Sequence, residues 1–319
     1  MWNSPDRHPI PPETRSAFHP ITPEDKIAIA GLRTLVEPNK GKMQGIAARE
    51  IFDAIISHVV APEDVTFRPG TVGGIAGWWC QPSDARPGQA LLHLHGGWYN
   101  WGTAQAYRHF AGHIAKRAGA QAFVPDYRLA PEHPFPAAVL DARACYRGLI
   151  DSGLRSIALV GDSAGGGLAL GLLSFVSRSA SETRPVAAVA LSAVTDLTLS
   201  GASWEDRAVA DPYFTRSQAA ELVYAYMAGH DPMDPLASPL HGDLAGLPPL
   251  LIHVGDDEVL LEDSRRYVAR AIAAGVDAKL EVWEGMPHGF TSDVGRLSAA
   301  TKALDTIGAF LSERLTAET

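Results

Sequence analysis

Ser163 is the residue whose surroundings most clearly prepare it for chemistry. It lies in Gly161-Asp162-Ser163-Ala164-Gly165, after the apolar run 156–160 and before the apolar, glycine-rich run 166–173. This is G-x-S-x-G set between a strand and a helix, the context that gives the pattern meaning. A tight strand-to-helix turn lifts the serine hydroxyl above the strand's end, so only small residues fit beside it. The following helix aims its free N–H groups and positive dipole end at the same point, where developing negative charge would be stabilised. The chemistry indicated is nucleophilic attack by the Ser163 hydroxyl.

An alkyl hydroxyl is a weak nucleophile at neutral pH. It needs a base, the base needs an orienting acid, and the oxyanion needs donors. On sheet scaffolds with this turn the chain order is serine, acid, histidine. Of twelve histidines, only His253 and His288 fall beyond residue 247. His253 lies within an apolar strand and reads as a core residue. His288, in Gly285-Met286-Pro287-His288-Gly289-Phe290, follows the last strand in a loop, where a base must stand. The acid is expected in Asp256-Asp257-Glu258, directly after the strand 250–254. Leu260-Leu261 must pack inward, and that phase favours Glu258 over Asp257. The oxyanion donors are expected from the backbone N–H groups of Gly96, Gly97 and Trp98, after the strand 90–94, together with Ala164. Glycine there lets the backbone approach a substrate closely, and His95 is expected to fix this loop by hydrogen bonds. Trp98, Tyr99, Trp204 and Phe214 are expected to line a substrate pocket. Trp101 either joins them or packs on the sheet edge. Asp126 and Arg128 read as a charged pair pinning the loop beneath the site.

Strands alternating with helices must position these groups. Strands are expected near 65–67, 75–80, 90–94, 121–125, 156–160, 186–191, 250–254 and 279–283. Helices are expected over 104–118, 137–149, 166–173, 264–274 and 299–315. Several strands are apolar throughout, which argues a mostly parallel sheet covered on both faces. Residues 1–20 read as an extended, proline-rich arm, followed by helices near 27–36 and 45–60, with no strand before residue 65. Residues 194–247 contain no strand; a helix over 217–228 makes them a helical insertion rather than a long structureless loop. The domain reading is 1–62 as an N-terminal helical segment, 63–193 with 248–319 as the α/β unit, and 194–247 as the insertion.

The bulk numbers exclude several classes. The 319 residues are 46% hydrophobic and 20% charged, an ordinary globular composition. A net charge of −9 makes nucleic acid an unsuitable partner. Two cysteines, Cys80 and Cys145, make neither a disulfide framework nor a metal spacing. The first residues lack the basic and apolar regions of a signal peptide, and no apolar run approaches the ~18 residues that span a bilayer. The expectation is a cytoplasmic protein with no metal or cofactor; a homodimer is carried as an expectation only.

Taken together, His95-Gly96-Gly97, Asp126-Tyr127-Arg128-Leu129-Ala130-Pro131-Glu132, Phe135-Pro136-Ala137-Ala138, Gly161-Asp162-Ser163-Ala164-Gly165-Gly166, Asp196, Ser238-Pro239, Glu258-Val259-Leu260 and Gly285-Met286-Pro287-His288-Gly289-Phe290 resemble the hormone-sensitive lipase family of bacterial esterases, within the α/β-hydrolase fold. The resemblance covers roughly residues 65–315. It implies a Ser163-Glu258-His288 triad, a cap built from the N-terminal helices and the insertion, and hydrolysis of small hydrophobic carboxylic esters without a cofactor. One departure stands out: Trp98 occupies the place of the family's third glycine. Its N–H remains a donor if φ is negative, whereas a positive φ is a costly place for tryptophan.

The leading reading is a serine carboxylesterase acting through an acyl-enzyme on short-acyl esters. A neighbouring reading keeps the triad and cleaves an amide, as in an arylformamidase, or a lactone. A reading from another class is a small-molecule receptor on a catalytically dead hydrolase scaffold, which requires a lost triad member.

Overall fold

The structure, a computed structural model, describes residues 16–179 and 183–317. Most of the expected N-terminal arm, residues 1–15, lies outside the described residues. The first strand is β1 (Ser16–His19), followed by helices α1 (Pro23–Val36) and α2 (Arg49–Ile56). Then come β2 (Val65–Val72), β3 (Ile75–Pro82), β4 (Gln89–Leu94), α3 (Ala104–Ala118), β5 (Gln121–Pro125), α4 (Ala137–Asp151), β6 (Ser156–Asp162), α5 (Ser163–Ser177) and β7 (Ala187–Leu191). The insertion carries α6 (Ser203–Asp206) and α7 (Arg216–Met227). The chain finishes with β8 (Leu250–Gly255), α8 (Leu261–Ala273), β9 (Ala278–Trp283) and α9 (Ser298–Thr316).

The strands form one sheet in the order β1-β9-β8-β7-β6-β4-β5-β3-β2. All neighbours from β1 through β5 are parallel, and only the β2–β3 hairpin and its pairing to β5 run antiparallel. Alternate strand residues feed opposite faces, as the pleat requires. Leu91, Ala158 and Val160 pack with α3 and α9, while Leu92, Ile157 and Leu159 pack with α4, α5 and α8. Burial on both faces explains why the central strands read as continuous apolar runs. Helix ends follow local chemistry: Thr103 caps α3 by accepting from the Ala106 N–H (3.1 Å), and Gly119 closes it in the left-handed region. Thr22 caps α1 in the same way through Asp25 (3.1 Å), with Pro23 in the first turn.

Four expectations are corrected. A strand does precede residue 65: β1 pairs in parallel with β9, Ser16 opposite Leu280 and His19 opposite Trp283. Four residues are too few to show a period, and what holds them is distant. The His19 ring stacks on Trp283 (3.9 Å between centroids), and its Nε2 meets Glu281 Oε2 at 2.5 Å. The second N-terminal helix is shorter than 45–60, and α8 begins at Leu261, three residues early. Asp126 and Arg128 do not pair with each other. Asp126 Oδ1 accepts the Ala104 N–H (2.6 Å) at the start of α3, while Arg128 turns the other way onto buried Asp141 (2.7 Å). Arg49 on α2 takes the loop instead, donating to Ala130 O (2.9 Å) and Glu132 Oε2 (2.7 Å).

The N-terminal segment and the insertion are joined to each other. Gly41 N donates to Tyr213 O (2.9 Å), Gln218 Nε2 to Met43 O (2.7 Å), and Arg33 to Ala210 O (2.5 Å). Trp101 is buried; its Nε1 donates to Gly45 O (2.8 Å) and its ring meets Phe52.

Candidate active site

Ser163 is the first residue of α5 and sits at φ 55°. That left-handed backbone is what the sharp turn demands of a non-glycine residue. The two motif glycines are there for space. A Cβ on Gly161 would lie 2.2 Å from Gly165 O, and one on Gly165 would lie 2.1 Å from Leu94 O and 2.3 Å from His95 O. The serine carbonyl accepts from the Val194 N–H (3.0 Å), which anchors the turn to the loop after β7.

Glu258 and His288 meet. Glu258 is fully buried, its Oε2 lies 2.8 Å from His288 Nδ1, and its Oε1 accepts from Ser192 Oγ (2.7 Å) and the Gly255 N–H (2.8 Å). Both carboxylate oxygens are therefore occupied and the carboxylate has one orientation. Burial alone would lower the His288 pKa. The hydrogen bond and charge of Glu258, with the charges of Asp211 and Asp162 behind it, reverse this and hold it above the ordinary value of 6.5. Asp257 faces elsewhere, pairing with Arg33 of α1 at 2.7 Å. Gly255 is needed beneath the histidine loop, since a Cβ there would lie 1.9 Å from Met286 O. His253 is buried, accepts from Trp283 Nε1 (3.1 Å) through its Nδ1, and is held neutral by burial, its pKa pushed down to about 3.

The loop after β4 is strained. Gly97 lies at φ 114°, Trp98 at 53° and Tyr99 at 59°. Trp98 thus takes the backbone that tryptophan least favours. Gly97 O accepts from both the Asn100 and Trp101 N–H groups (2.9 Å each), a turn too tight to relax. Asn100 Nδ2 donates to Trp98 O (2.6 Å) and holds the strained carbonyl. Below, the Tyr127 hydroxyl donates to His95 O (2.7 Å) and His95 Nδ1 meets Gly96 O (2.8 Å). Burial lowers the His95 pKa to about 4, so the ring is neutral and structural, as expected. The Tyr107 hydroxyl donates to Asp162 Oδ2 (3.1 Å) and is approached by the Gly96 N–H. The Gly96 N–H is thereby engaged by Tyr107, whereas the N–H groups of Gly97, Trp98 and Ala164 have no backbone carbonyl acceptor among the described residues.

Trp98, Trp204 and Phe214 do come together. Trp98 lies 6.3 Å from Trp204 and 5.6 Å from Phe214 between ring centroids, the latter edge to face, and Phe214 in turn lies 5.0 Å from His288. Tyr99 stands apart, stacked on Tyr226 of α7 at 3.9 Å. Sequence reasoning passes over Ser192 and Asp211. Ser192 carries one legible signal, its place directly after a parallel strand beside the serine strand. Asp211 carries none, because its partners Tyr213, Phe214 and Val259 are assembled only by the fold. Among the described residues no group of three or more His, Cys, Asp and Glu side chains could hold a metal ion. No helix among them is long and apolar enough to cross a membrane.

Residues 91–292 match a family model described as the alpha/beta hydrolase fold. An acetyl-hydrolase of Streptomyces hygroscopicus is 41% identical over 254 residues, which cover 79% of this chain and 83% of that one. An esterase of Acinetobacter venetianus is 31% identical over 280 residues, covering 87% and 92%. A solved esterase of the bacterial hormone-sensitive lipase family superposes with a TM-score of 0.86 at 38% identity, over 92% of this chain and 99% of that one. With its parallel sheet, its strained serine turn and these relatives, the chain belongs to the α/β-hydrolase fold family, as one of its hormone-sensitive lipase-like carboxylic ester hydrolases.

Proposed function

We propose that the protein hydrolyses short-acyl carboxylic esters through Ser163, His288 and Glu258, and that an acyl-serine forms on the way. Ser163 Oγ attacks the ester carbonyl carbon while its proton passes to His288 Nε2. Glu258, bonded to Nδ1, fixes the tautomer and stabilises the imidazolium. The oxyanion is met by the N–H groups of Gly97 and Ala164, the latter at the positive end of α5, while Trp98, at φ 53°, misses the negative φ its N–H was expected to need. The intermediate collapses as His288 gives its proton to the departing alcohol. Water then enters, loses a proton to His288 and attacks the acyl carbon, and the carboxylic acid leaves as Ser163 recovers its proton.

The observation that carries this reading is the 2.8 Å contact between Glu258 and His288, two loop residues behind the serine turn and 30 positions apart. The N-terminal segment and residues 194–247 act as a cap over these groups, bringing Phe214 to His288. The Trp98, Trp204 and Phe214 rings restrict the space a substrate can take, which favours acetyl to butyryl groups. The names of relatives agree with a small acyl group: acetyl-hydrolase, and for a Pseudomonas putida relative ethyl acetate hydrolase.

The test is turnover of p-nitrophenyl acetate by the purified protein and by Ser163→Ala. The wild type is expected to turn over, and the variant to lose on the order of 10³-fold or more in kcat while remaining folded, because the residues act as a unit. A folded Ser163→Ala that still cleaves the ester would end the assignment. Failure of the wild type to cleave any ester, amide or lactone probe would favour a receptor.

A further inference from the structure

Asp211 is a fully buried carboxylate in the cap that the proposed reaction does not use. Burial raises its pKa, opposed by three backbone N–H groups and by His288. Its oxygens divide between two units of the fold. Oδ1 accepts from the Tyr213 (2.7 Å) and Phe214 (2.9 Å) N–H groups, within the cap itself. Oδ2 accepts from the Val259 N–H (3.0 Å), the residue directly after Glu258 in the catalytic unit. One side chain thus holds both neighbours of His288: Phe214, whose ring meets the imidazole at 5.0 Å, and the loop that presents Glu258. The segment bearing Asp211 is pinned from its other side. Lys40 donates to Ala208 O (2.5 Å) and to Asp211 O, and Arg33 joins Ala210 O (2.5 Å) to Asp257 Oδ2 (2.7 Å).

We propose that Asp211 is the positioning residue through which the cap completes the Glu258–His288 acid–base pair, so that docking of the cap and assembly of the catalytic base are one event. A carboxylate suits this place better than a neutral group. It can satisfy three converging donors, and its charge faces the imidazolium that forms on His288. The charged groups acting on His288 come from three elements: Glu258 from the loop after β8, Asp162 from the end of β6, and Asp211 from the cap. Asp211 is the one whose position depends on the cap.

The inference rests on the proposed roles of Ser163, His288 and Glu258, and its test separates the two. Initial rates of p-nitrophenyl acetate hydrolysis would be measured across the pH range in wild type, Asp211→Asn, Asp211→Glu and Ser163→Ala. Asparagine keeps an acceptor for the two cap N–H groups but turns a donor toward Val259, so it breaks the cap-to-catalytic bond and removes the charge. Asp211→Asn is expected to lower kcat about tenfold with KM changed far less, the signature of an interaction that acts on the transition state. The acid limb of its kcat/KM profile is expected to move down by about half a pH unit, because a charge supporting the imidazolium is gone. Asp211→Glu restores the charge and is expected to keep the wild-type limb while lowering kcat through displaced geometry. A wild-type kcat and limb in Asp211→Asn would overturn the proposal. So would a loss of rate explained by fewer active sites on titration, with the limb unmoved. If Asp211→Asn does not fold, Asp211→Glu decides: kcat identical to wild type overturns the inference. Turnover by Ser163→Ala would instead bring down the reading beneath it.

Discussion

Phe214, in the segment between β7 and β8, meets His288 edge to face, their ring centroids 5.0 Å apart and their planes at 77°. The imidazole is therefore held at two points, by Glu258 at Nδ1 and by an aromatic ring that stands 44 residues before Glu258 and 74 before His288 in the chain. Such a contact places an apolar ring against the imidazole. It also links its environment to Trp98, which packs on the same Phe214 ring.

The acid can be assigned by substitution. Glu258→Gln is expected to lower kcat steeply, about 10³- to 10⁴-fold, since the imidazole loses the acceptor that fixes its tautomer. Asp257→Asn should cost far less, because its carboxylate is spent on Arg33. Steady-state kinetics of the two variants decide the ranking, and the reverse order would place the acid one residue upstream.

The pH profile follows from the raised His288 pKa. The base must be neutral, so kcat/KM falls as pH drops through that pKa. The midpoint of the acid limb is accordingly expected above 6.5, the ordinary histidine value. A midpoint below 6.5 would mean that burial outweighs Glu258 and its neighbours.

Trp98 is expected to limit acyl length. An indole covers roughly 150–250 Å², and this one stands directly after Gly97 and against Trp204 and Phe214. Trp98→Gly removes the ring and relieves the strained φ of 53°. It should raise the kcat/KM ratio of octanoate over acetate esters by about tenfold, the worth of one or two methylenes in a pocket. Acetate turnover should fall, since glycine loosens the loop that aims the donors. A wild type that already prefers octanoate, or an unchanged ratio, would turn Trp98 away from the substrate.

Asp263 supplies a stability test independent of catalysis. It is fully buried on α8, and burial raises its pKa to about 7 although the Thr195 and Asp196 N–H groups (2.8 and 2.9 Å) oppose this. The unfolded carboxyl titrates near 3.8. Between those values the folded protein holds a proton that unfolding releases, so this residue's contribution to stability falls as pH rises toward 7. Asp263→Asn does not titrate. Its melting temperature minus that of the wild type is expected to increase from pH 5 to pH 8, and a constant difference would refute the assigned shift.

What the sequence by itself determined was local and periodic. Gly161 and Gly165 crowd the serine turn within four residues, the strand and helix patterns flank it directly, and the inward phase of Leu260-Leu261 separates Glu258 from Asp257. Each is settled by atoms close in the chain, so each is legible there. The tertiary structure alone decided the rest. It made four residues at 16–19 an edge strand because Glu281 and Trp283 lie beside them, and it turned Arg128 to Asp141 rather than Asp126. It pressed Trp98 into a positive φ because the Gly97 carbonyl closes a tight turn under packed rings. It brought Ser192 to Glu258 and Asp211 to Val259 across 66 and 48 residues. These are pairings between surfaces that meet only when the sheet is complete, and no spacing along the chain encodes which surfaces will meet.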